Sequence, residues 1–295
     1  MSDFHIPDKL KLAASETAEE LVQRIEREKR AQDLQREDQL NQSAGNFKIG
    51  SVPYLNAAPL NRGIENQLIY AVPSQLAKML KTGELDAALV STAAVLFSDD
   101  YDILDGIAIA SLGEVQSVFL AHKGPLADIT EVFYDTASLS SLNLLKVLLA
   151  EKGIKPEYKP LNSYDLMALP DYALLIGDIA LDFLRGPHEH QIWDLGAAWL
   201  ELTQTPFVYA VWALQRGRNN SALRRQLREA KSFGMDTLDY IISSRTDYDY
   251  NFRKDYLSWH VHYHLGSDEK RGINQFVRLL RKHQGEPVYD PHYVA

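Results

Sequence analysis

The sequence predicts an α/β protein of two lobes with a ligand cleft between them, preceded by a charged helical extension. Three observations predict it. From Phe47 onward, short apolar runs alternate with helical patterns, as in sheets covered by helices. A second group of strand-like runs occupies residues 114–217, after which the chain reads as mainly helical. Residues 1–46 differ in kind, because 10–42 is rich in Glu, Arg, Gln and Lys and lacks Gly and Pro. The expected organisation is an extension over 1–46, a first lobe from 47–113 and 218–295, and a second lobe from 114–217.

Each element has a local reason. Ala18, Leu21, Val22 and Ile25 follow helical spacing, and Leu34 and Leu40 extend it weakly. So thin an apolar stripe makes this helix an accessory, packed outside the first lobe or joining two copies into a homo-oligomer; 41–46 is its linker. Residues 47–52 form a β run that stops in a polar turn presenting Tyr54 and Asn56. Residues 68–72 read as a strand. Ser74 is placed to cap a helix over 75–82 that Gly83 ends. Residues 85–90 are a buried strand that finishes in Ser91-Thr92, followed by a helix over 93–97 and a strand around 107–110.

In the second lobe, 115–122 and 132–134 read as strands, the latter ending at Asp135. The 138–151 stretch is a helix with Leu142, Leu145, Leu148 and Leu149 on one face. A buried strand over 172–176 ends in Gly177-Asp178, 194–196 opens a turn-rich segment, and 207–214 is a further strand. Helices are expected over 221–243, around 256–265 and over 269–283.

Composition narrows the function. The chain has 295 residues, no cysteine and a formal net charge of −9. The charge argues against nucleic acid as a partner, since phosphates need a basic surface. The missing cysteines exclude disulfides, thiolate nucleophiles and cysteine-ligated metals. No apolar run approaches the roughly 20 residues of a membrane span. The first residues carry no apolar signal core, so the expected location is the cytoplasm.

Candidate site residues sit where strands end, because ligands of open α/β sheets bind at the carboxyl ends of strands. Asn56 offers a donor and an acceptor together. Ser138, Ser140 and Ser141 open a helix, where unsatisfied N–H groups and the helix dipole favour an anion. Ser91 and Thr92 stand at a similar junction. Ser117 lies in a strand and faces either cleft or core. Asp178 ends an apolar strand and is free to act as base, to hold a substrate hydroxyl or to cap a helix. His260, His262 and His264 alternate; on a strand they would share one face and could ligate a metal, but the pattern reads as a helix, on which they fan out. No phosphate loop, GxSxG elbow or HExxH motif is present.

Taken in order, several segments resemble chorismate dehydratases of the futalosine route to menaquinone: 52–60 (Val-Pro-Tyr-Leu-Asn-Ala-Ala-Pro-Leu), 73–77, 83–90, 113–118, 176–181, 194–196 and 206–212. The likeness covers about residues 47–285. It implies a fold like the type 2 periplasmic binding proteins. The implied reaction is loss of water from chorismate to give 3-[(1-carboxyvinyl)oxy]benzoate, with no metal or cofactor. By motif, the family's polar pair falls on Asn56 and Ser117 as catalytic residues. Tyr54, Ser91, Thr92, Ser138, Ser140, Ser141 and Asp178 are expected to bind substrate. Gln204 stands where the resemblance expects glycine. The alternatives are a non-catalytic binding protein for a small anionic metabolite, or the related 1,4-dihydroxy-6-naphthoate synthase.

Overall fold

In the computed structural model, which describes residues 17–42, 47–218 and 220–295, the alternating runs become two mixed sheets. The strands in chain order are β1 (Ile49–Ser51), β2 (Leu68–Tyr70), β3 (Ala87–Ser91), β4 (Tyr101–Ser111), β5 (Val118–His122) and β6 (Glu131–Tyr134). They continue as β7 (Glu157–Pro160), β8 (Tyr172–Ile176), β9 (Gln191–Asp194), β10 (Phe207–Gln215) and β11 (Tyr293–Val294). The six-stranded sheet runs β11-β4-β10-β3-β1-β2 and the five-stranded sheet β7-β6-β8-β5-β9. β1 and β3 are buried throughout, as strands with neighbours on both sides must be.

One boundary moves. The sequence pattern places residues 114–217 in the second lobe. Within that span β10 lies antiparallel between β3 and β4, so by Phe207 the chain is back in the first sheet. β10 is a nine-residue run buried at all but two positions, and local patterning cannot say which sheet will bury it.

The helices are α1 (Ala18–Gln42), α2 (Ala58–Asn61), α3 (Pro73–Lys81), α4 (Thr92–Leu96), α5 (Leu139–Glu151) and α6 (Gly177–Arg185). They continue as α7 (Leu195–Thr203), α8 (Ser221–Asp236), α9 (Leu238–Ser244), α10 (Tyr250–Asp255) and α11 (Ser267–His283), with a π turn at Tyr256–His260. Three local expectations change. α3 begins at Pro73, with Val72 rather than Ser74 at its N-cap, because proline at the first position gives up an N–H that would be orphaned anyway. The expected turn at 194–196 is the start of α7, capped by Asp194, whose carboxylate accepts the Ala197 N–H at 3.0 Å. The expected helix over 256–265 stops at His260. Val261 is extended, burial alternates from Val261 to Leu265 as it does along a strand, and His262 exchanges two backbone hydrogen bonds with Ala110.

α1 docks only by its last turns. Leu40 is 5% exposed, whereas Leu21, Val22, Ile25 and Leu34 are exposed. Arg36 reaches Asp236 at 2.8 Å and lies over the Phe233 ring, and Glu37 accepts from Arg62 at 2.8 Å. The helix start that the sequence places at Ser15, ahead of Glu19 and Glu20, and most of the 41–46 linker lie outside the described residues. Among the described residues no helix is long and apolar enough to cross a membrane.

Candidate active site

The cleft between the two sheets holds about 580 Å³ of space between the atoms, open solvent at its mouth included. Val52, Leu89, Ile109, Ile176 and Val261 make it mostly apolar, and Tyr54, Asn56, Ser91, Ser117, Ser138 and Ser141 give it polar walls. Among the described residues no Lys or Arg lines it. An anion held here is met by hydroxyl and N–H donors.

Asn56 and Ser117 meet through a residue that sequence reasoning misses. Asn56 sits in the 3₁₀ turn Leu55–Ala57 just beyond β1. Ser117 ends the crossover from β4 to β5. Tyr256, in the π turn, donates its hydroxyl to Ser117 Oγ at 2.7 Å, and the Asn56 side chain stands beside the same phenol, where it favours the ionised form against burial. Burial pushes this phenol well above its ordinary pKa, so it stays protonated and works as a donor. With Tyr256 donating to its oxygen, Ser117 is free to turn its own O–H into the cleft. Asn56 Oδ1 is buried and has no partner, an acceptor waiting for a donor. Nothing near Tyr256 in sequence signals this role; its partner Ser117 is 139 residues away along the chain, and Asn56 is farther still.

The crossover is held in an unusual shape. Gln116 has φ +62°, and its N–H donates to Asp194 at 2.8 Å, as does that of Val115 at 3.1 Å. Burial raises the Asp194 carboxyl, opposing the three backbone N–H groups that favour its ionised form. Gly196 is required beside it: a Cβ there would stand 2.3 Å from Gly113 O and 2.8 Å from Ser111 Oγ. The Gln116 side chain lies 3.0 Å from His260 Nε2, and His260 Nδ1 lies 3.0 Å from Glu114 O. A neutral imidazole protonated on Nδ1 satisfies both contacts.

The serine-rich helix start splits in two. Ser138 is the N-cap of α5, its Oγ accepting from Ser141 N at 3.4 Å and from Ser141 Oγ at 3.2 Å; both residues line the cleft. Ser140 is fully buried behind the wall, where its Oγ accepts the Ala93 N–H at 2.9 Å and so joins the start of α5 to the start of α4. Ser91 is on the wall, whereas Thr92 is buried in the first turn of α4 with an unpartnered hydroxyl.

Asp178 also stands off the cavity wall. Its carboxylate accepts the Leu55 N–H at 3.2 Å, tying the Asn56 turn of one lobe to α6 of the other. Burial pushes its pKa up to about 6, further raised by Asp247 and Asp182 against the pull of the Leu55 N–H and Arg245. Tyr54 packs its ring beside Gly177, whose φ of +59° is the left-handed conformation that favours glycine. Of the nine expected site residues, Tyr54, Asn56, Ser91, Ser117, Ser138 and Ser141 therefore face the cleft, and Thr92, Ser140 and Asp178 brace it from behind.

Two mixed sheets around an interlobe cleft, lined by helix starts, define a protein of the solute-binding class of folds. Solved structures with this architecture include a protein of Archaeoglobus fulgidus, 16% identical, with a TM-score of 0.64, covering 80% of this chain and 97% of that one. The alkanesulfonate-binding protein of Xanthomonas axonopodis pv. citri, bound to MOPS, is 14% identical with a TM-score of 0.60, covering 84% and 98%. The aliphatic sulphonate binding protein of Escherichia coli is 14% identical with a TM-score of 0.55, covering 84% and 93%. At these identities the likeness is one of fold.

The sequence relationship is closer. A chorismate dehydratase of Thermus thermophilus is 33% identical in an alignment 258 residues long that covers 79% of this chain and 95% of that protein. The profile of a family described as menaquinone biosynthesis matches residues 47–282, and the chain belongs to that family.

Proposed function

We propose that the cleft binds chorismate and removes water from it, giving 3-[(1-carboxyvinyl)oxy]benzoate. The observation that carries this reading is the 33% identity to a chorismate dehydratase over nearly that protein's whole length. The cleft chemistry supports it. Product formation takes a proton and a hydroxyl from the two adjacent saturated ring carbons, and the ring becomes aromatic. The protein must hold a dianion, orient the hydroxyl and assist its departure.

In this reading the exposed donors at the start of α5, with Ser138 and Ser141, hold a carboxylate. Asn56 Oδ1 accepts from the ring hydroxyl and fixes its direction. Ser117, with Tyr256 donating to its oxygen, gives its own proton to the leaving hydroxyl, which departs as water, and its oxygen takes up the proton released from the adjacent saturated carbon, so the side chain ends as it began. The apolar floor excludes water and strengthens these contacts. Tyr54 and Ser91 close the sides of the ring pocket. The reaction belongs in the cytoplasm, among the other steps of biosynthesis.

Incubating the purified chain with chorismate, following the diene absorbance and identifying the product by mass spectrometry tests the proposal. Loss of the diene with formation of the enolpyruvyl benzoate is expected. Chorismate bound but recovered intact would favour a non-catalytic binding protein.

A further inference from the structure

Outside the cleft, His262, His264 and Glu269 bring three ligand atoms within 4.8 Å of one another. We propose that they form a binding site for one divalent transition-metal ion of zinc-like preference. The backbone creates the site. Burial alternates from Val261 to Leu265 as it does along a strand. Val261, Tyr263 and Leu265 are each 2% exposed and point into the core and the cleft floor. His262 and His264 point the other way, and their rings lie 4.5 Å apart. The segment cannot slip, because His262 N and O are both bonded to Ala110 of β4, at 2.9 and 3.0 Å.

Glu269 comes from the first turn of α11 and is buried. Its Oε2 accepts the Gly266 N–H at 2.7 Å, which fixes the carboxylate. That leaves Oε1, which lies 3.1 Å from His262 Nε2 and 3.3 Å from His264 Nε2. A tetrahedral ion with bonds of about 2.0–2.1 Å to N and O ligands needs ligands roughly 3.4 Å apart. The two observed N–O separations are close to that edge length. Two imidazoles and one carboxylate are a borderline-soft ligand set that suits zinc over magnesium or calcium. The His264 side chain is 61% exposed, so a fourth position opens to water. The hydrogen bond from Gly266 to Oε2 orients the ligand in the way outer-shell contacts orient metal-binding carboxylates.

The ion would brace the strand whose opposite face forms the cleft floor through Val261, and it would touch no substrate group. It would therefore act on stability, not on the elimination.

The test uses the full, tag-free chain stripped with chelator. Titration with Zn2+ by calorimetry and with Co2+ by visible absorption is expected to show one ion per chain and the intense bands of tetrahedral Co2+. Zn2+ should raise the melting temperature. His264→Ala, an exposed change that leaves the fold intact, should weaken binding at least about tenfold, abolish the thermal shift and leave turnover unchanged. Glu269→Gln should also lose the ion, although it touches a helix cap. Absence of saturable binding at one equivalent, or equal binding by wild type and His264→Ala, would overturn the assignment.

Discussion

Two groups of polar side chains belong to the cleft, and they are built differently. At the start of α5, Ser138 and Ser141 bond to one another within a single turn. In the other group, Asn56, Ser117 and Tyr256 come from three distant segments and meet at one phenol. The first group is local and would exist wherever this helix start formed. The second exists only when both lobes and the C-terminal helices are assembled. The difference points to separate tasks, holding charge in one case and placing a reacting hydroxyl in the other.

The largest test of that division is truncation of the long-range group. Ser117→Ala and Asn56→Ala should each lower kcat by about 10²-fold or more with little change in melting temperature. Tyr256→Phe should lower kcat by roughly tenfold, because the Ser117 oxygen loses one buried hydrogen bond. Full activity in any of these variants would remove that residue from the reaction.

Next comes the local group. Ser138→Ala and Ser141→Ala should raise KM for chorismate by about tenfold while kcat moves less, the signature of lost charge-assisted donors. Ser140→Ala is the internal control. Its hydroxyl serves the Ala93 N–H and not the cleft, so the variant should be less stable by about 1–3 kcal/mol in chemical denaturation, with KM near wild type. A KM effect at Ser140 equal to that at Ser141 would erase the distinction between wall and brace.

A smaller effect concerns pH. Asp178 titrates at about 6 in the fold against 3.8 for an ordinary aspartate. The folded state holds this proton more tightly, so the group's contribution is fully present below about pH 4 and is lost as pH rises through about 6. Asp178→Asn keeps an acceptor for the Leu55 N–H and removes that loss. At pH 8 it should be more stable than wild type by about 1–2 kcal/mol, and the gain should vanish near pH 4. Chemical denaturation at several pH values reads this directly; a pH-independent difference would contradict the assignment.

The smallest expected change is at Gln204. It closes α7 in the left-handed conformation, φ +55°, where glycine is favoured, and its side chain recovers part of the strain by donating to Leu200 O and Glu201 O. Gln204→Gly should alter stability by under about 1 kcal/mol and leave kcat unchanged.

Much of the fold is legible in the chain alone. The 172–176 strand and the α5 start fall where their apolar runs and capping serine put them. β7 and β9 are not legible, because both are four-residue edge strands without a buried position, and pairing rather than propensity makes them strands. The α7 start reads as a turn because Gly196 weakens a helix; the reason for that glycine is the close approach of Gly113, a contact far away in sequence.

The sequence by itself determined most of the order of α and β elements, the thin apolar stripe that leaves much of the first helix exposed, and which short polar residues stand at strand ends. These follow from period, capping chemistry and composition, all properties of neighbours along the chain. The tertiary structure alone decided which sheet takes β10, which of the serines face the cleft, and that Tyr256 stands beside both Asn56 and Ser117. It also decided that His262 and His264 share a face, because pairing with Ala110 holds their segment extended where its local pattern favours a helix. Burial and hydrogen bonding between distant segments set those outcomes, and no window of sequence contains both partners.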